Sequence, residues 1–510
     1  MQAVIAALSL VLTLGISCYA QAGQYFVATS GSDTSQGTFD QPFATILQAH
    51  SVVSAGDTIY VRGGVYTISL TLTLNKIGTD SAMFYLLAYH DERALLDFSS
   101  MAFSSTNRGI SLSGDFWYVR GLDIKGAGDN GMNISGSYNI VENCSFYENS
   151  DTGLQLGNGA SNNQIINCDS YFNVNPDGQD DADGFAPKLS VGSGNYFYGC
   201  RAWQNSDDGF DGFLRESNDV TTVLENCWIF MNGYLKDGSP SSGNGNGFKM
   251  GGMNNLGDSL KHNVTLKNCL AFDNRMKGFD QNHNRGSMTI YNGTAYRNGS
   301  NYSLNETVAF GKTMTIINSI ALGSSGPIIV TVIQETNSWM DQFSPTAEDF
   351  ASIDTTDVRG PRKPDGSLPD IQFMHLTAGS VLIDSGTDVG LPFVGIAPDL
   401  GAFEFSPVTS IVQANDIPSS FVVAQTYPNP FNPETSIRFE IPASGIVSIL
   451  IYNILGKEVR KLANSEFQAG THLLRWNAKD NDGLHVTSGT YFATVKYNTN
   501  AKTLKLVLTR

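Results

Sequence analysis

Charge is scarce in this chain, and basic charge is scarcest. Only 15% of its 510 residues are charged, and 31 basic residues face 48 acidic ones. The net charge of −17 excludes the basic stripe that nucleic-acid binding needs. It also repels a polyanionic polysaccharide unless a cation stands between the two. Cysteine is sparse as well, at six residues. Five of them share one repeated context, and an odd number at one phase excludes a disulfide framework. No Cys-His spacing of a zinc site occurs. Past the N-terminus no apolar run is long enough to span a membrane. Helical periodicity is confined to a segment near Phe43–Ala49, read as a short amphipathic helix that caps one end of the fold.

Glycine, by contrast, is abundant, and it recurs in one phrase. Thr152-Gly153-Leu154-Gln155, Asp183-Gly184-Phe185, Asp208-Gly209-Phe210-Asp211, Asn246-Gly247-Phe248-Lys249 and Lys277-Gly278-Phe279-Asp280 keep Gly plus a large apolar residue. Their polar neighbours change from neutral to acidic to basic. A constant scaffold with variable polar flanks describes stacked repeats that carry a site on one face. A second repeat agrees. Asn143-Cys144, Asn167-Cys168, Gly199-Cys200, Asn226-Cys227 and Asn268-Cys269 each close a short apolar run, and the Cys recur after 24, 32, 27 and 42 residues. Such spacing of β-rich runs predicts an all-β chain built on a parallel β-helix. Its coils stack about 4.8 Å apart, so equivalent side chains form ladders. The Asn residues are expected to form an internal amide ladder, with the thiols stacked beside it.

The chain divides by composition. Residues 1–22 read as a secretory signal peptide, with an apolar core from Ala3 to Ile16 and a small-x-small cleavage site, although basic residues before the core are missing. Residues 23–406 form the β-helix, 407–424 a linker, and 425–510 a small C-terminal β-sandwich of alternating strands. Within the β-helix, residues 232–262 lengthen one coil.

Alignment on Gly-Phe makes Asp183 and Asp208 neighbours on successive coils, and puts Asp211 and Lys249 in one column. Crowded carboxylates repel unless something neutralises them. A hard cation with oxygen ligands does so, and Ca²⁺ tolerates irregular geometry better than Mg²⁺. The candidate metal ligands are Asp183, Asp207, Asp208 and Asp211, with Asp180 and Asp181 in reserve. Arg275, Lys277, Asn284 and Arg285, on the next coil, are candidates for binding substrate carboxylates.

Three segments carry a family resemblance. Asp183-Gly184-Phe185-Ala186-Pro187-Lys188-Leu189, Asn205-Ser206-Asp207-Asp208-Gly209-Phe210-Asp211 and Gly245-Asn246-Gly247-Phe248-Lys249 resemble family nine polysaccharide lyases of the pectate lyase type. The resemblance implies a right-handed β-helix, Ca²⁺ held by the matching Asp residues, and Lys249 as the Brønsted base. It implies a secreted or cell-surface enzyme, taken as a monomer, that cleaves polygalacturonate by β-elimination. A β-helix glycoside hydrolase, a lyase for another uronate polymer and a non-catalytic glycan-binding protein are the alternatives. The module opening at Tyr427-Pro428-Asn429-Pro430-Phe431-Asn432-Pro433 resembles the C-terminal sorting domain of type IX secretion cargo. That resemblance implies the secretion machinery as a partner.

Overall fold

Short β-branched and aromatic runs, each closed by Asn or Gly, pair with the next coil rather than folding into hairpins. The computed structural model describes residues 22–509, except 91, 253–259, 407–420, 424–428, 430, 432, 434, 468–469, 482–483 and 499. Nearly all of the expected signal peptide, most of the linker and part of the Tyr427–Pro433 run therefore lie outside the described residues. The chain divides into two compact units, Met1–Ser406 and Pro407–Arg510.

In the first unit each coil gives one strand to each of three parallel sheets, of 12, 10 and 9 strands. One coil supplies Ile140–Glu142, Ser145–Tyr147 and Leu154–Leu156 to the first, second and third sheets. The result is a parallel β-helix with the right-handed winding that parallel crossovers adopt. A helix over Ile46–Val52 starts at Thr45, whose side chain accepts from the Gln48 amide. It buries Ile46 and Ala49 against the first strands. The amphipathic segment near Phe43–Ala49 is thus helical.

The Asn ladder needs a correction. Asn143, Asn167, Asn226 and Asn268 sit at the corner between the first two sheets with φ of 51–55°. Asn tolerates this left-handed conformation better than other residues with a side chain. Asn268, Asn292 and Asn318 do link side chains, at 2.9 and 3.1 Å, but Asn143 and Asn167 leave a buried Oδ1 without a partner. The deep ladder lies five residues after each Cys. Asn149, Asn173, Asn205, Asn232 and Asn274 each donate Nδ2 to the Oδ1 of the next member, and Asn298 ends the series, all at 2.8–3.0 Å. Each Oδ1 also accepts the backbone amide of the Asn before it, for example Asn205 N to Asn232 at 3.2 Å. The ladder pins the corner from which Asp207 and Asp208 depart. The five thiols are free and buried in a stack, as expected.

Inside the third sheet, Leu154, Phe185, Phe210, Phe248, Phe279 and Tyr302 stand in register. Rings of Phe248, Phe279 and Tyr302 stack 5.0 Å apart. Burying each Phe contributes roughly 1.5–3 kcal/mol. The preceding Gly is a packing requirement: a Cβ at Gly209 would lie 2.0 Å from Ile229 Cγ2. Sequence constancy of Gly-Phe thus reflects close approach of the coils.

The second sheet is buried on both faces, as Arg201–Trp203, Trp228–Phe230 and Leu270–Phe272 show. Residues 326–406 cover its outer face, burying Phe350, Val358, Phe373 and Leu376 against Trp203, Phe230 and Phe272. An ionic clamp fastens this strap. Asp169 accepts Arg201 Nη2 at 2.8 Å and Arg362 Nη2 at 2.6 Å. Arg201 also donates to the carbonyls of Val358 and Gly360, both at 2.9 Å. Burial alone would raise the Asp169 pKa, but Arg362 and Arg201 outweigh it and hold it down. Asp169→Ala leaves two buried guanidiniums without their counter-ion. We expect a loss of about 3–5 kcal/mol in chemical denaturation.

The C-terminal unit has antiparallel sheets of three and four strands among its described residues. Ile437, Phe439, Ile449, Ile451, Trp476, Val495 and Leu506 form one shared core, the arrangement of a small β-sandwich.

Candidate active site

Successive coils carry the Gly-Phe phrase forward one rung at a time, and the polar positions before each Gly stack. The Gly153 amide donates to the Asp183 carbonyl, Gly184 to Asp208 and Gly209 to Asn246, all at 2.9 Å. Side chains follow the same column. Asp183 Oδ1 accepts the Asp208 amide at 3.1 Å, and Asp208 Oδ1 accepts the Asn246 amide at 2.7 Å. Asp183, Asp207 and Asp208 each place an oxygen within 4.8 Å of the others, all three buried.

Residues after each Phe form a second column. Asp211 pairs with Lys249, and Lys249 with Asp280. Lys249 Nζ lies 2.9 Å from Asp208 Oδ2 and 3.4 Å from Asp211 Oδ1. The turn at Gly209 thus brings Asp208 and Asp211 to one ammonium. Asp208 Oδ2 is buried, with the Lys249 ammonium beside it and no hydrogen-bond donor besides. Three buried carboxylates that share so little positive charge fit a hard divalent cation. Asp183, Asp207 and Asp208 can hold it. Asp211 stands outside the 4.8 Å trio, its oxygens facing the lysines.

Burial dominates the electrostatics. It pushes Asp183 well above the ordinary carboxylate range, raises Asp207, and brings Asp208 to about 7, with Asp207 adding to the last. Burial alone would lower the Lys249 pKa. Asp208, Asp211, Asp183 and Asp207 outweigh it and raise Lys249 well above its ordinary value. In the metal-free cluster the amine is therefore an ammonium.

Residues 25–318 match the family described as the Pel9A-like, right-handed β-helix region. The chain belongs to this family. Pectate lyase L of Dickeya dadantii (strain 3937) is 40% identical over 396 residues, covering 74% of this chain and 90% of the relative. The crystal structure of pectate lyase Pel9A matches with a TM-score of 0.71 at 38% identity, covering 76% of this chain and 97% of that one. A rhamnogalacturonan lyase structure matches with a TM-score of 0.62 at 28% identity, covering 70% and 97%. Residues 429–501 match the FlgD Ig-like domain.

Within this Pel9A-like β-helix, several expected substrate contacts turn inward. Arg275 Nη1 donates to the carbonyls of Ser241 and Gly243 at 2.6 and 3.0 Å. It fastens the lengthened coil, which comes down on the site: the Asn244 amide donates to Asp207 Oδ1 at 2.5 Å. A Cβ on Gly243 would lie 2.3 Å from the Ser206 carbonyl oxygen, so the close approach requires glycine. Asn284 is buried, donating to the Met250 and His262 carbonyls and accepting the His262 and Gly286 amides. With every polar atom engaged, it is a structural residue. Arg285 is turned to Thr307. Lys277 pairs with Asp280 at 3.0 Å but keeps 35% of its side chain exposed, so it remains available to a ligand. Asp180 and Asp181 are exposed and stay outside the trio.

Two supporting residues escaped the sequence reading. His262 is buried, held neutral by burial with its pKa lowered to about 4. Its ring joins the Gly212 carbonyl and Thr222 Oγ1, both at 2.8 Å, and so fixes the turn after Asp211. A lone His in a strand gave no signal. Lys188 Nζ lies 2.6 Å from Asp183 Oδ2 and 3.7 Å from Asp211 Oδ2. Its signal was present, since it closes the same motif that begins at Asp183. Phe213 is a third neighbour, its ring centre 5.6 Å from Lys249 Nζ.

Proposed function

We propose that the protein is a secreted, calcium-dependent pectate lyase with Lys249 as its base. The observation that carries this reading is the Lys249 ammonium seated between Asp208 and Asp211, beside the buried trio of Asp183, Asp207 and Asp208. Asp183, Asp207 and Asp208 would hold Ca²⁺, with Asp211 beside them facing Lys188 and Lys249. Bound there, Ca²⁺ supplies Lewis-acid stabilisation of the charge that develops on a uronate carboxylate.

The chain's own part is to take the C5 proton. Lys249 must be neutral to accept it. The carboxylates are what keep it protonated, whereas burial favours the neutral amine. Neutralising the carboxylates therefore leaves burial in control and frees the base. As the C5–H bond breaks, the C4–C5 double bond forms and the C4 oxygen leaves with its bonding pair. Lys277, partly exposed on the next rung, offers a cation to a neighbouring substrate carboxylate.

Incubation with polygalacturonate should give a conjugated, unsaturated product that absorbs in the ultraviolet, below the protein's aromatic band. New reducing ends without that absorbance would identify a hydrolase, in which Lys249 has no part. Binding without either product would identify a glycan-binding protein. The likeness to a rhamnogalacturonan lyase favours a second substrate reading. Absorbance from rhamnogalacturonan but not polygalacturonate would replace pectate as the substrate.

Residues 1–22 and the C-terminal unit serve export in this reading, the latter as a type IX sorting domain. Removing residues 425–510 is expected to leave specific activity within about twofold while abolishing release from the native cell, since that unit has its own core. Assay of culture medium against cell lysate checks it. Undiminished release of the shortened chain would refute the sorting role.

A further inference from the structure

Lys188 is a buried cation to which the elimination chemistry gives no step. Its backbone lies one residue past the Phe185–Pro187 strand, and its side chain returns to the corner of its own coil. There Nζ meets Asp183 Oδ2 at 2.6 Å, the Asp181 carbonyl at 3.5 Å and Asp211 Oδ2 at 3.7 Å. Asp211 therefore bridges two ammoniums, Lys188 through Oδ2 and Lys249 through Oδ1. Thr152 Oγ1 adds a bond to Asp183 Oδ2 at 3.3 Å. With all four carboxylates ionised, as cation binding requires, and both amines protonated, the cluster carries a formal charge of −2, the complement of one divalent cation.

We propose that Lys188 is a positioning residue: a fixed counter-ion that holds Asp183 and Asp211 and sets the cluster's charge for a single Ca²⁺. This rests on the calcium-dependent reading given above. The two lysines then divide the work. Lys249 sits on Asp208 and Asp211 and moves a proton. Lys188 sits on Asp183 and Asp211 and keeps its charge throughout. Without it, Asp183 would retain only hydroxyl and amide donors, from Thr152 and Asp208. The cluster would then carry a formal −3, more than one divalent ion offsets. Cation affinity follows the ligand charge of the site, so such a cluster binds Ca²⁺ more tightly and depends on it more.

The test is Ca²⁺ titration of the full chain by calorimetry, with melting curves taken with and without Ca²⁺. Neither readout needs substrate. Lys188→Met should lower the Ca²⁺ Kd by about tenfold or more and enlarge the Ca²⁺-induced rise in Tm. Lys188→Arg should restore the wild-type Kd. A Kd for Lys188→Met that is unchanged or weaker would overturn the proposal, as would a tenfold change in Lys188→Arg. Should Lys188→Met unfold without cation, recovery of its native circular dichroism on adding Ca²⁺ supports the role, and failure to recover refutes it. A wild-type chain that takes up no Ca²⁺ would fail the calcium reading itself, and this inference with it. That result is seen in the wild type alone, so the two failures are distinguishable.

Discussion

Lys249→Ala is expected to lower kcat on polygalacturonate by about 10²–10⁴-fold, the usual contribution of a positioned general base. KM should change little, because the group acts on the C5 proton and not on the substrate's carboxylates. The variant should retain the β-helix, since the Phe ladder and the Asn ladder lie on the other side of the backbone from Nζ. Initial rates of the product's ultraviolet absorbance, with circular dichroism as the control for folding, decide it. The wild-type rate should climb toward alkaline pH. The neutral amine is the active form, and Asp208 and Asp211 hold Lys249 above its ordinary pKa against the pull of burial. Turnover by Lys249→Ala within a few-fold of wild type would remove the base assignment.

The second large effect concerns the acidic trio. Asp208→Asn keeps the shape of the side chain but removes the buried carboxylate charge that faces Lys249. Turnover should fall by about 10²–10³-fold, the scale of losing one preorganised electrostatic partner. Chelation of the wild type should do the same and be reversed by added Ca²⁺. Stability has its own signature. The Asp208 pKa in the folded chain is about 7, above its ordinary 3.8, because burial disfavours the charged form. A raised acid stabilises the fold fully below the ordinary value, and that contribution is lost as pH rises through about 7. Metal-free protein should therefore melt at lower temperature at pH 8 than at pH 4–5, so far as this group is concerned. Ca²⁺ should remove the decline by taking the proton's place. Full activity in thoroughly chelated enzyme would rule out the metal site.

The site was legible because a β-helix turns sequence phase into spatial columns. Once Phe185, Phe210, Phe248 and Phe279 are aligned, Asp183 and Asp208 share one column and Asp211 and Lys249 another, without further information. The same logic failed where side chains leave their column. Arg275 sits on the expected rung, but the lengthened coil offers two carbonyls within its reach, so it anchors a loop. Asn284 sits near the groove in sequence, yet four backbone groups claim its amide. The Asn-Cys repeat places an Asn at one phase of each coil, which by itself points to an amide ladder there. The deep ladder follows it by five residues, and the Asn before Cys serves a left-handed corner. Both positions favour Asn, for different reasons, and composition does not separate them.

The amino-acid sequence by itself determined the phase of the coils and the sharing of columns by carboxylates and amine. These follow from periodicity, which is local and repeats. Only the tertiary structure decided which ions pair, which polar groups are spent on backbone, and that Lys188 enters the cluster as a second ammonium. It also revealed the strap clamped by Asp169, Arg201 and Arg362. Those outcomes depend on partners distant in the chain, up to 194 residues for Arg362 and the Cys168 carbonyl. A repeat fixes the position of a side chain along the solenoid, whereas its direction is set by whichever donor or acceptor the neighbouring loops bring within reach.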